Sequence, residues 1–146
     1  MDLLSLPDDE RIPRLMEYCN KRNRFGSLIG MRLTALSRHS ARMEMIVDEQ
    51  HNNPIGLPHG AIYLALADSA CGSLMMLTGY ATPTLDVTWK YLKSAVPGER
   101  VWADSRIIRS GRTVSTLEAE VQSESGDLLG KGIFSFFQTR RKIELE

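Results

Sequence analysis

The stretch between Gly60 and Tyr80 constrains this chain more than any other. Its one charged side chain is Asp68, with Tyr63 and Cys71 as the only other ionisable groups. About 20 apolar residues suffice to cross a bilayer. An aspartate near the middle, however, costs roughly 2.5–3.5 kcal/mol on insertion scales, and no Lys or Arg stands close to either end. The stretch therefore reads as a helix that is apolar nearly all round and buried inside a soluble protein. Such a helix must be covered on most of its sides.

The rest of the chain supplies the cover. At 146 residues it is one domain's worth. Residues 8–23 read as an amphipathic helix, capped by Asp8 or Asp9, with Ile12, Leu15, Met16 and Cys19 at helical spacing. Residues 28–36 are apolar-rich, and 41–48 alternate, with Ala41, Met43, Met45 and Val47 on one face. A turn at His39-Ser40 joins the two as a hairpin. Beyond the apolar helix, Leu85, Val87, Trp89 and Tyr91 alternate with Thr84, Asp86, Thr88 and Lys90. Further strands are expected at 100–108, 112–123 and 127–138, with Pro97-Gly98, Ser110-Gly111 and Ser125-Gly126 as turns. A helix of about 20 residues spans roughly 30 Å, about the length of a strand of nine or ten residues. Two strands before the helix and four after it can thus form a curved antiparallel sheet with one apolar face. The expected class is α+β: a hotdog fold, in which the sheet wraps a long central helix. A short N-terminal helical extension covers residues 1–27 and the hotdog unit residues 28–146, as a single domain.

Composition excludes other classes. Eighteen basic and eighteen acidic residues give no net charge, so the basic excess of a nucleic-acid binder is missing. Cys19 and Cys71 lack zinc or redox spacing, which argues against a secreted disulfide scaffold and for the cytoplasm. Residues 1–14 have no basic and apolar leader pattern. No metal-ligand spacing occurs. The expectation is no metal, no cofactor, no nucleic acid and no membrane.

The chemistry concentrates in residues 53–68, which run Asn53-Pro-Ile-Gly56-Leu-Pro-His59-Gly60-Ala61 and then along the helix to Asp68. Free N–H groups at a helix start favour negative charge, and a glycine lets a ligand carbonyl approach the backbone. A carboxylate on an apolar helix is costly unless paired or facing a cleft. Each residue also has a plain structural reading: a tight turn for Gly60, a turn signal for Asn53, a cap for Asp68, a strand edge for Thr84. In type and spacing, Asn53, Gly56, His59, Gly60 and Asp68 resemble the PaaI-like hotdog thioesterases, whose pattern is N-x-x-G-x-x-H-G-G followed by a helix acid. Ala61 departs from the second glycine. The run from Thr84 to Leu92 is similar to that family's strand after the helix.

The resemblance implies an acyl-coenzyme A thioesterase that releases a free acid and coenzyme A. Asp68 would be nucleophile or general base, and the Gly60 N–H would be the oxyanion donor. Asn53 would position water or fix the loop, His59 would support the carbonyl or the loop, and the Thr84 hydroxyl would assist the water. Arg109 and Arg112, or else Arg140, Arg141 and Lys142, would meet the coenzyme A phosphates. Cys71 reads as an inert buried thiol, and Met75 and Met76 as core or acyl-pocket lining. The alternatives are a hotdog acyl-thioester dehydratase or hydratase and a non-catalytic acyl-CoA-binding module. The Asn-His-Gly-Asp order argues against the first, and retention of Asp68 against the second. Gly60 and Asp68 lie eight residues, about 12 Å, apart along one helix. A site using both needs a second copy, so a homodimer with shared sites is expected, and with it a dimer of dimers.

Overall fold

The structure, a computed structural model, describes all 146 residues. Its centre is helix α3 (Gly60–Met75), continued by a 3₁₀ turn at Met76–Thr78. Leu66, Ala67, Ala70 and Cys71 of α3 have no exposed surface. The helix meets its need for cover by packing against all six strands of one sheet. Although Gly60–Thr78 is long and apolar enough to cross a membrane, half of it lies inside the protein.

The strands are β1 (Arg32–Leu36), β2 (Ser40–Ile46), β3 (Thr84–Tyr91), β4 (Arg100–Arg109), β5 (Val114–Ser123) and β6 (Leu128–Phe137). They form one antiparallel sheet in the order β1-β2-β4-β5-β6-β3. This is the hotdog fold that the sequence predicts, with two strands before the helix and four after it. Met43, Met45, Val101, Ala103, Leu117, Ala119, Val121 and Phe134 are buried on the helix-facing side. The opposite face carries ion pairs such as Arg42–Asp104 at 2.7 Å and Arg106–Glu118 at 2.9 Å. Pairs this exposed keep that face wet more than they stabilise it.

The N-terminal region departs from expectation in two details. Helix α1 (Asp8–Arg22) begins after Pro7, and no side chain caps it. Asp8, Asp9 and Glu10 instead lie in its first turn, where carboxylates favour the exposed N–H groups. Residues 28–31 are not strand. The Asn23 side chain accepts from the Gly26 N–H at 2.9 Å and starts a second helix, α2 (Arg24–Ile29), which ends at Gly30. Helix α1 is fastened to β1 by Asn20, whose amide bonds both the N–H and the carbonyl of Leu33, at 2.8 and 3.0 Å. Its Leu15 and Cys19 join the same hydrophobic cluster as α3. The two ends of the chain meet: the Met1 ammonium donates to the Leu145 carbonyl at 3.1 Å, and Lys142 pairs with Asp2 at 2.9 Å.

Strand β3 is the informative exception. Its alternation predicts a buried apolar face, yet Leu85 is 54% exposed, Val87 36% and Tyr91 57%. As an edge strand it pairs only with β6, and α3 leaves most of it uncovered. Trp89 is the partial exception and lies over Gly130 and Gly132 of β6. A Cβ at Gly132 would stand 2.5 Å from the Trp89 ring and 2.6 Å from the Thr88 carbonyl, which the sheet holds in place. Gly132→Ala should therefore destabilise the fold by about 1–3 kcal/mol, as overpacking does. A urea melt with an unchanged midpoint would contradict this packing.

Candidate functional site

Asp68 sits midway along α3, partly buried, where α3 turns one strip of its surface away from the sheet. Its Oδ1 accepts from the Thr84 hydroxyl at 2.7 Å. Its only protein hydrogen bond is this one, and it belongs to no salt bridge. Asp68 and Thr84 line one groove of about 350 Å³, together with Tyr18, Cys19, Gly72, Met76 and Phe136. A carboxylate with no cation, fixed through one oxygen and open to a groove, is disposed to take a proton or to attack an electrophile.

The Asn53–Gly60 loop is a separate construction. The Asn53 Oδ1 accepts from the N–H groups of Ile55 and Leu57, both at 3.1 Å, and the Asn53 N–H donates to the Leu57 carbonyl at 2.7 Å. Gly56, at φ +78°, supplies the left-handed residue that the turn requires. His59 is the N-cap of α3: its Nδ1 accepts from the Ala61 N–H at 3.0 Å, which leaves Nε2 as the ring's donor. The Gly60 N–H heads the helix and bonds to no other backbone group. Gly60 has a packing reason as well, because a Cβ there would come within 2.9 Å of the Tyr91 ring. Asn53, Gly60, Tyr63 and Tyr91 line a second groove of about 450 Å³.

A third groove, of about 560 Å³, is basic. Arg112, Arg140 and Lys142 line it with Tyr80, Thr113 and Thr139. The two basic groups that the sequence offers as alternatives thus converge in part: Arg109 of the first and Arg141 of the second do not line this groove. Arg109 stands in register with Thr116 at the end of β4.

Within one chain, then, Asp68 and Thr84 come together, and Asn53 and Gly60 come together, but the two pairs line different grooves. The methionines divide: Met75 is core, while Met76 lines the Asp68 groove. Sequence reading missed three participants. Tyr91 lies beside Gly60 and lines the same groove, and its place on the apolar face of β3 was the available signal. His51 is buried, accepts from the Asp48 N–H at 2.9 Å and bonds the Ile29 carbonyl at 2.7 Å. Its own carbonyl holds the His59 N–H at 2.8 Å, bracing the loop. Tyr18, from α1, forms part of the Asp68 groove, and no local pattern marks it. No group of three His, Cys, Asp or Glu side chains stands close enough to hold a metal.

Comparison with known proteins gives a consistent picture. Residues 56–129 match the family model of the thioesterase superfamily. The acyl-coenzyme A thioesterase 13 of Mus musculus is 29% identical over 92 residues, 61% of this chain and 66% of that protein. A mutant of the phenylacetic acid degradation protein PaaI from Thermus thermophilus superposes with a TM-score of 0.76 at 26% identity, over 80% of this chain and all of that one. A mutant thioesterase from Pseudomonas aeruginosa gives the same TM-score at 26% identity, over 84% and 91% of the two chains.

The thiols near the carboxylate are poor nucleophiles. Burial pushes the Cys19 thiol up to about 11. Burial, reinforced by the Asp68 charge, raises Cys71 further still. At pH 8 both are protonated, and only the thiolate reacts. An aromatic disulfide reagent at pH 8 should label neither in the folded protein and both in denaturant. Rapid native labelling of Cys71 would contradict its burial.

Proposed function

Because the chain belongs to the thioesterase superfamily, we propose that it hydrolyses acyl-coenzyme A thioesters to a carboxylic acid and coenzyme A. The observation that carries the reading is the unpaired Asp68 carboxylate, held by Thr84 and open to a groove. The thioester carbon lies against Asp68, and its oxygen faces a free helix N–H, that of Gly60. Attack places negative charge on that oxygen, where the helix dipole and the N–H stabilise it. As general base, Asp68 takes a proton from water as the water oxygen bonds the carbonyl carbon. The tetrahedral adduct then expels the coenzyme A sulfur, which leaves with that proton. As nucleophile, Asp68 instead bonds the acyl carbon and expels coenzyme A thiolate; water then cleaves the anhydride, restoring the carboxylate and supplying the proton that the thiolate takes up, with the same products. Thr84 orients the carboxylate in either case, and the Asn53 amide NH₂ remains available to a water beside the loop.

One helix cannot supply both groups, since Gly60 and Asp68 are about 12 Å apart along α3. A second copy of the chain supplies the missing half. The open edge of β3 and its exposed Leu85, Val87 and Tyr91 support this, because an unpaired apolar edge is a template for another strand. Two-fold pairing through β3 gives two equal sites, each with Asp68 and Thr84 from one chain and Asn53 to Gly60 from the other. The phosphates of coenzyme A lie in the basic groove of Arg112, Arg140 and Lys142, as forked and point charges.

Asp68→Asn is nearly isosteric and should lower kcat at least a hundredfold, the usual range for loss of a positioned acid or base. Parent-like hydrolysis would make Asp68 structural. A single turnover in ¹⁸O-water separates the two roles. Direct attack by water labels only the acid, whereas an anhydride opened by water at the Asp68 carbon leaves the label in Asp68 and the acid unlabelled.

Sharing of sites has its own test. Proline is tolerated at the first helical position and has no N–H, so Gly60→Pro removes the oxyanion donor and also displaces the Tyr91 ring, which a Cβ there meets at 2.9 Å. Chains with Asp68→Asn and with Gly60→Pro should each be inactive. Co-expressed, half of random dimers are hybrids with one intact site of two, so activity returns to roughly a quarter of the parent. Inactive hybrids would refute the shared site. Arg112→Ala with Arg140→Ala should raise KM about tenfold or more, since bonds to charged groups contribute ~1.5–3 kcal/mol each. The salt dependence of KM should flatten in that variant.

A further inference from the structure

We infer that the groove running from Asp68 to α1 holds the acyl chain, and that α1, outside the region matching the superfamily, sets its length. The inference rests on the thioesterase reading and gives the substrate class as medium straight-chain acyl thioesters. Asp68, Gly72 and Met76 lie four residues apart in turn, on one face of the α3 surface, and all three line this groove. From Asp68 to Met76 is eight residues, about 12 Å along the axis. With carbon–carbon bonds of about 1.5 Å in zigzag, that length takes an acyl chain of about eight to ten carbons.

The far end is lined by α1. The Cys19 sulfur lies 3.5 Å from the Met76 sulfur, so thiol and thioether together make a soft, polarisable patch, with Ser73 and Asn23 beside it. Tyr18 and Arg22 both line the groove, and the Arg22 guanidinium lies over the Tyr18 ring, 5.5 Å from its centroid. Arg22 is in turn held by Glu146 at 3.0 Å. Its charge is thus engaged before any substrate enters. Midway, the width depends on a missing side chain. A Cβ at Gly72 would meet only Phe136, at 3.7 Å, an ordinary contact. The space beside Gly72 is therefore open groove, and a longer side chain there occupies it.

The test is a ladder of straight-chain acyl-CoAs from acetyl to palmitoyl, followed by thiol release. The parent's kcat/KM should peak near octanoyl and decanoyl. Gly72→Leu should lower the octanoyl-to-acetyl ratio at least tenfold, and Tyr18→Ala should raise the palmitoyl-to-octanoyl ratio at least tenfold, because a few methylenes in or out of a pocket carry that much. Ratios cancel any loss of folded protein. Gly72→Ala, a change that favours the helix, should shift the profile the same way by less. An unmoved profile in both Gly72→Leu and Tyr18→Ala, with Asp68→Asn inactive, would overturn the acyl groove while leaving the thioesterase reading intact. If the parent cleaves nothing on the ladder, the thioesterase reading fails instead, and decanoate binding by calorimetry judges the groove alone. Binding to the parent that Gly72→Leu abolishes supports it, and equal binding to both overturns it.

Discussion

A helix that is apolar around nearly its whole circumference cannot face water, and this requirement organises the molecule. Burying it takes a wrapping layer, and a sheet with one apolar face is the layer this sequence can build. The wrap stops short along one strip of α3, and Asp68 lies on that strip. The same uncovered strip that admits a carboxylate at little desolvation cost also opens the groove beside it. The candidate site's geometry and the incomplete burial have one cause here.

That incompleteness also explains why the candidate groups stand apart. The loop braced by Asn53 and His51 presents the Gly60 N–H at the start of α3, while Thr84 meets Asp68 two turns further along. A rigid helix fixes this separation, and no side-chain motion closes it. Strand β3 has the composition of a buried strand without the burial, and Tyr91 next to Gly60 places that unsatisfied surface beside the loop. Apolar edge and divided candidate site are the two features that the proposed pairing of chains would complete.

The elements and their order were legible from periodicity, since a period of two and a single long apolar run leave few ways to build a core. The turn pairs Ser110-Gly111 and Ser125-Gly126 placed two hairpins correctly. What was hidden depended on contacts distant in sequence. Residues 28–31 look like a strand start, but the Asn23 cap diverts them into α2. Arg112 and Arg140 are far apart in the chain and share a groove only because the β5–β6 hairpin brings its open ends together. Arg109, on the other side of the same turn, ends β4 and lies outside that groove. Tyr18 carries no motif, and only the packing of α1 against the end of α3 gives it a place.

The strand order has a consequence for the chain while it is being made. β3 finds its only neighbour in β6, the last strand to be synthesised, and the terminal residues then bond to Met1 and Asp2. Until β6 has emerged from the ribosome, β3 has no strand to pair with and α3 lacks one flank of its cover. The early product is therefore a nascent chain with a bare apolar helix beside an unpaired strand, the kind of species that aggregates or recruits chaperones. The sheet closes only once β6 is available, and a polypeptide cut a few residues into β6 cannot close its own core.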